Sequence, residues 1–389
     1  MLKPLALLAA LALAVPAQAE LSVRVGWLEQ QVDRPPVLSN LDPIPEDLGL
    51  AGARLGIEDD ARTGRFLGHA YALEPRIVPP GGDALAAARE ALARTPLLVV
   101  HAPAETLLAI ADLPEAQGAL ILNASAQDDR LRGPDCRANL LHAIPSHAMR
   151  ADALSQFLTV RRWTDVALVE GTHPDDRAFA AALRRSFTKF GLRIRADETW
   201  EWNADIRRDA GRETPLFTQD FRDHDVMVVA DEAGDFARYM MFNTWTPTIM
   251  AGSEGLTPVA WSPALEQWGA AQLQSRFEAL AARDMRPEDY AAWAAVRSIG
   301  EAATRTNASD PASLRAYMLS DAFELAGFKG SPMTFRPWNG QLRQPMPLVH
   351  PRALVALTPL DGFLHPVNAL DTLGQDEGES ACRAFAARN

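Results

Sequence analysis

The chain has 389 residues, an ordinary globular composition and a formal net charge of -12. That balance excludes a nucleic-acid binder, which needs a concentrated basic surface for phosphates. The length exceeds what one hydrophobic core normally serves, so two domains are expected.

Lys3 opens a positive segment, residues 5–15 form an apolar run, and Ala17-Gln18-Ala19 offers a small-x-small cleavage site. This is the pattern of a signal peptide over residues 1–19, too short for a membrane span. The mature protein is therefore expected to be exported and soluble. In an oxidising compartment Cys136 and Cys382 form one expected disulfide. It closes a very long loop, worth on the order of 4 to 5 kcal/mol in the entropic model.

Residues 21–25 alternate as a first strand that leaves at Gly26-Trp27, and four prolines between 30 and 48 mark a loop. Residues 48–60 suit a helix whose glycines allow close packing on strands. Residues 70–74 read as a strand. Asp83 caps a helix to about residue 93, residues 97–100 form a strand ending at His101-Ala102-Pro103, and 104–111 a short helix. A strand over 119–122 ends at Asn123-Ala124-Ser125-Ala126.

A second series begins with a helix over 148–163. Val166-Ala167-Leu168-Val169 is too short for a helix and right for a buried strand. Turn residues 170–176 follow, then a helix to Phe190 with apolar residues at 179, 183, 187 and 190, a stop at Gly191, and a further extended piece. Strand, helix and strand in about thirty residues make a βαβ unit and imply a parallel sheet. An edge strand ends near 199–203, Pro215-Leu216-Phe217 precedes a helix, and strands are expected at 226–229, 248–250 and near 258–261. Helices then occupy 264–285, 288–304 and 311–320, with short strands near 333–335 and 347–349.

The fold class is therefore α/β, with two lobes, each a mostly parallel sheet flanked by helices, around a cleft. Lobe 1 comprises 20–142 plus 262–335 and lobe 2 comprises 143–261 plus 336–389. In such sheets ligands gather at loops leaving the strand C-termini. The candidate ligand contacts are accordingly Trp27, His101, Ala102, Asn123, Ser125, Ala126, Thr172, His173, Asp231 and Ser253. Arg34 and Arg130 could fork onto carboxylates. Trp245 and Trp261 join Trp27 as exposed indoles apt for stacking on a flat conjugated ligand. The pairs Asp59-Asp60 and Asp175-Asp176 read as helix-end charges. No metal-ligand spacing, dinucleotide fingerprint or phosphate loop is found, so neither an enzyme nor a catalytic cofactor is expected.

With these loops in place, the chain resembles the periplasmic binding proteins of branched-chain amino-acid ABC transporters, the type I two-lobed fold. The segments that carry the resemblance are 166–194, 290–302, 310–314 and Phe335-Arg336-Pro337-Trp338-Asn339-Gly340-Gln341, in that order. The resemblance implies a monomer in the periplasm, a small-molecule ligand and an ABC permease partner in the inner membrane. It also implies small hydroxyl residues after the third and fourth strands, where this chain has His101-Ala102-Pro103 and Asn123-Ala124-Ser125. Thr172-His173 falls where the family has a stacking tyrosine. The chain looks most like the branch associated with pyrroloquinoline quinone (PQQ)-dependent alcohol dehydrogenase systems. PQQ itself is then the sharpest ligand expectation. An amino acid, a small organic acid, or a sensor partnering an oxidoreductase are the alternatives.

Overall fold

The computed structural model describes residues 21–33, 42–201 and 209–385. The expected signal peptide, Arg34, and residues 202 and 203 of the expected edge strand lie outside the described residues.

Strands β1 (Leu21–Gln30), β2 (His69–Val78), β3 (Leu97–His101), β4 (Leu120–Asn123) and β5 (Leu140–His142) form a parallel sheet in the order β2-β1-β3-β4-β5. Helices α1 (Leu50–Leu67), α2 (Ala84–Leu92) and α3 (Ala104–Ala111) connect them. The run Leu97-Leu98-Val99-Val100 is apolar throughout because both faces of its strand are covered. Leu97 and Val99 join the core shared with α1, whereas Leu98 and Val100 join the core under α2 and α3.

The second lobe repeats the scheme. Helix α4 (His147–Arg161) leads into β6 (Asp165–Glu170), α5 (Pro174–Phe190), β7 (Arg193–Thr199), α6 (Ala210–Thr218), β8 (Val226–Ala230), α7 (Ala237–Met240) and β9 (Ile249–Gly252). Its parallel sheet runs β7-β6-β8-β9. Val166 and Leu168 face α4 and α5, and Ala167 and Val169 face the side of α7. The opening βαβ expectation is met over β6, α5 and β7. The helix begins earlier than its apolar spacing indicated, at Pro174.

After β10 (Thr257–Pro258) the chain returns to the first lobe for α8 (Ala270–Ala281), α9 (Pro287–Thr306) and α10 (Pro311–Met318). A hairpin of β11 (Leu325–Ala326) and β12 (Pro332–Met333) precedes the last crossing. Strands β13 (Met346–His350) and β14 (Ala353–Thr358) then pair antiparallel, with β10 on the outer side of β13. Met346 and Leu348 belong to the second lobe's core. The crossings are stitched to one another by side chains. Gln341 Nε2 donates to the carbonyls of His142 (3.2 Å) and Ile144 (3.1 Å), and Gln344 Nε2 to that of Ala143 (2.9 Å). Buried Arg132 donates to Gln341 Oε1 and the Ile144 carbonyl, both at 2.8 Å. Cys136 and Cys382 form the expected disulfide, which fastens the tail to the segment before β5.

Three local expectations change. The α1 glycines serve helix-on-helix contact: a Cβ on Gly52 would overlap the Asp289 backbone of α9, and one on Gly56 would crowd Val296. Asp59 and Asp60 therefore sit in mid-helix, facing α9, not at a helix end. Asp60 pairs with Arg297, and Asp59 accepts from Trp293 Nε1 at 3.0 Å. Pro215 lies inside α6, whose start is capped by Asp209. Strands β5 and β14 went unread, the first because three residues show no periodicity.

Candidate functional site

Both parallel sheets present their strand C-termini, and the N-termini of the following helices, to the region between the lobes. On the first lobe this edge carries His101 at the end of β3, Ala102 after it, and Gln127, Asp128 and Asp129 after β4. On the second it carries His147 and Arg150 in the first turn of α4, His173 and Asp175 at the start of α5, Glu232 after β8 and Ser253 after β9.

The two edges are joined by hydrogen bonds. The His147 backbone N–H donates to the Gln127 carbonyl (2.9 Å), and that of Ala148 to Asp129 Oδ1 (2.8 Å). Arg185 of α5 pairs with Asp129. Arg150 is the centre. It forks onto Glu232, with Nη2 3.0 Å from Oε1. It donates to Gln127 Oε1 at 3.0 Å and to the Pro258 carbonyl at 3.2 Å, and lies 4.4 Å over the Phe179 ring. Ser253 Oγ donates to Glu232 Oε1 at 2.8 Å. The guanidinium and this hydroxyl overcome burial and hold the Glu232 carboxyl down at about 2.

Around that pair burial shifts the titratable groups toward their neutral forms. Burial lowers His147, which is 4 % exposed, so its imidazole stays neutral at pH 7. Burial raises Asp175, with Asp128 and Glu232 adding repulsion. Burial also raises Glu288 at the start of α9, near enough to Arg150 for the guanidinium to oppose the shift. Among the described residues Glu288 forms no ion pair. His147 Nδ1 and Trp27 Nε1 have no hydrogen-bond partner among the described residues. Such buried groups cost about 1–3 kcal/mol each if left unpaired.

The sequence-predicted residues fall into three groups. Some stand at the inter-lobe edge but are spent on holding it. Ser125 Oγ accepts from Ala102 N (2.9 Å), and Asn123 Oδ1 accepts from the backbone N–H of Ser125 and Ala126. His173 caps α5 through Nδ1, 3.3 Å from the Asp175 N–H. Asp231 accepts from the N–H groups of Asp235, Phe236 and Ala237, which absorbs both its oxygens in a turn. Ser253 supports Glu232. Thr172 is exposed beside His173.

A second group is core. Trp27 is fully buried and stacks on His101, with centroids 5.9 Å apart, so its exposed-indole reading is corrected. The same holds for Trp261, which is 1 % exposed, stacks on Tyr290 at 4.8 Å and donates to Gln274. The third group lies elsewhere. Trp245 precedes β9 and its N–H donates to Thr218 at the end of α6, which places it at the opposite edge of the sheet from the cleft. Arg130 is tied to Glu105, Asp128 and Asp135 on the surface.

The candidate contacts missed His147, Arg150, Asp128, Asp129 and Glu288, and Glu232 stood only as the residue after Asp231 in its strand-end loop. Their signal was positional. Glu232 directly follows Asp231, and His147 and Arg150 open the helix that follows β5, the strand that was not read.

No family model matches the chain, and no curated protein matches it. Among solved structures it is similar to a branched-chain amino-acid ABC transporter periplasmic ligand-binding protein from Burkholderia xenovorans. That pair shares 17% identity over 93% of this chain and 100% of the other, with a TM-score of 0.72. The leucine-, isoleucine-, valine-, threonine- and alanine-binding protein from Brucella ovis, in its closed conformation, matches at 12% identity, with 84% and 89% covered and a TM-score of 0.65. A solute-binding protein of an ABC transporter from R. palustris, in complex with benzoate, matches at 12% identity over 93% and 99%, with a TM-score of 0.64. The chain thus has the α/β fold of the type I periplasmic binding proteins.

Proposed function

We propose that this chain is a periplasmic solute-binding protein. Its lobes close on a small ligand and present it to an ABC permease in the inner membrane, with no bond made or broken. The chemistry of the edges supports this: polar groups from both lobes meet in Arg150, Gln127, Asp129 and Arg185, so ligand contacts shared by the lobes would bias a hinge about the three crossings.

For the ligand we favour a small zwitterion of the amino-acid class. The observation that carries this is the charge of the cleft, where Asp175 and Glu288 pair with no lysine or arginine among the described residues. They suit an ammonium group. The neutral His147, whose Nδ1 has no partner among the described residues, would meet an acceptor atom such as a carboxylate. Proteins of this fold include one named for leucine, isoleucine, valine, threonine and alanine. The PQQ reading keeps the sequence resemblance as its support. Buried Trp27 and Trp261 and distant Trp245 remove the stacking surface it relied on, and the acidic edge repels its carboxylates.

Calorimetric titration of the purified protein with a panel of L-amino acids, and separately with PQQ, tests both. The expected result is saturable amino-acid binding that Glu288→Gln weakens about tenfold, a loss of ~1.4 kcal/mol. Binding of PQQ with no amino acid binding would overturn the zwitterion in favour of the quinone.

A further inference from the structure

The second lobe carries an apolar groove that solute capture between the lobes does not use. It lies beside β9, the edge strand of its sheet, and encloses about 660 Å³. That is within the range of small-ligand sites, roughly 300–1,000 Å³. Phe157 and Trp163 line it together with Phe242 and Ile249, which are 84 % and 43 % exposed. Phe157 lies in the last turns of α4 and Trp163 just beyond its end. The start of that helix, with His147 and Arg150, faces the cleft roughly 15–20 Å away at 1.5 Å per residue.

Two basic side chains complete the groove, Arg161 and His350. The Arg161 guanidinium sits 5.7 Å from the ring centroids of both Phe157 and Trp163. Among the described residues it forms no ion pair, in a chain whose net charge is -12. A helix C-terminus accounts for a cation at this position. It does not account for a concave aromatic surface beside that cation. Apolar walls with a guanidinium held on aromatic faces at the rim match a ligand that has an apolar body and one carboxylate.

We propose that this groove is a second binding site, separate from the cleft, for a small apolar carboxylate. The charge complementarity with Arg161 selects the acid over a neutral molecule of the same shape.

The test uses the full chain labelled with ¹⁵N and two probes, decanoate and decanol. Trp163→Phe assigns the Trp163 indole resonance. That resonance is expected to move saturably with decanoate, at an affinity about tenfold above that for decanol. Arg161→Met is expected to abolish the difference while leaving decanol binding in place, and Arg161→Lys to restore part of it. Equal affinity for acid and alcohol, or an unmoved Trp163 signal, would overturn the proposal. So would a Trp163 signal that follows protein concentration alongside dimer formation in light scattering, since the groove would then be a self-interface.

Discussion

Two buried arginine–carboxylate clusters in this molecule have opposite characters. Behind the crossings, Asp371 Oδ1 accepts from Arg336 Nε (2.9 Å) and Arg343 Nε (2.7 Å), with Trp338 lying against both guanidiniums. Arg336 spends its other donors on the carbonyls of Leu370, Leu373 and Gln375. There, two cations share one anion, and every partner lies in the crossing and the tail. Between the lobes, Arg150 pairs with Glu232 and reaches across to Gln127, while Asp175 and Glu288 nearby pair with no lysine or arginine among the described residues. Unpaired buried nitrogens occur at both, Trp338 Nε1 at the first and His147 Nδ1 at the second. Orphan atoms therefore do not by themselves mark a ligand site. The sign of the charge imbalance and the partners' freedom to separate do.

The largest effect expected is at Asp371. Asp371→Asn keeps the shape but leaves two nearly buried guanidiniums without a counter-charge. A loss of about 3–5 kcal/mol in urea unfolding is expected, with little change in ligand affinity among molecules that remain folded. A loss smaller than that of the corresponding change at the cleft would erase the distinction between the two clusters.

At the cleft the corresponding change is Glu232→Gln, and it has a pH signature. The Glu232 carboxyl is held at about 2, below its ordinary 4.5. Its stabilisation is therefore fully present above pH ~4.5 and lost as pH falls toward ~2, a contribution of about 3 kcal/mol. Asp176 acts oppositely: burial pushes it up to about 6, so the folded state gains from its protonation as pH falls from 6 to 4. The comparison of wild type with Glu232→Gln cancels that term. Unfolding free energies are expected to differ by about 3 kcal/mol at pH 6 and to converge near pH 2. Parallel curves over that window would show that Arg150 does not hold the carboxylate.

How much of this was legible follows from where the signals lie. The strands 97–101 and 165–170 announced themselves because burial on both faces makes them apolar throughout, and the caps Asp83 and Gly191 fixed helix ends locally. The site was less legible. A tryptophan after a strand reads the same whether it opens to a cleft or fills a core. Only the approach of Gly49 to the Trp27 ring, set by α1 against α9, decides for the core. Arg150 and Glu232 are 82 positions apart, and nothing in the spacing announces their pairing. Asn123 and Ser125 were found by position, yet Asn123 bonds its own loop and Ser125 Oγ bonds the Ala102 backbone of the neighbouring one.

The smallest effect on stability is expected at the bridge between the lobes, and it separates closure from folding. Arg185 is 56 % exposed and pairs with Asp129 of the other lobe. An exposed pair of this kind contributes about 0.5 kcal/mol, so Arg185→Gln should barely move the unfolding midpoint. Its partner, however, lies on a surface that must leave when the lobes open. Removing the pair raises the free energy of the closed form relative to the open one by that same small amount. Because ligand is gripped only when the lobes are closed, the missing fraction of a kcal/mol is expected as about a twofold faster ligand dissociation, measured by stopped flow, with association unchanged. Added salt should shrink the difference, since exposed charges are screened within about 10 Å at 0.1 M. An equal slowing of association would instead assign Arg185 to capture of the ligand, and the bridge would then belong to the site, not to the hinge.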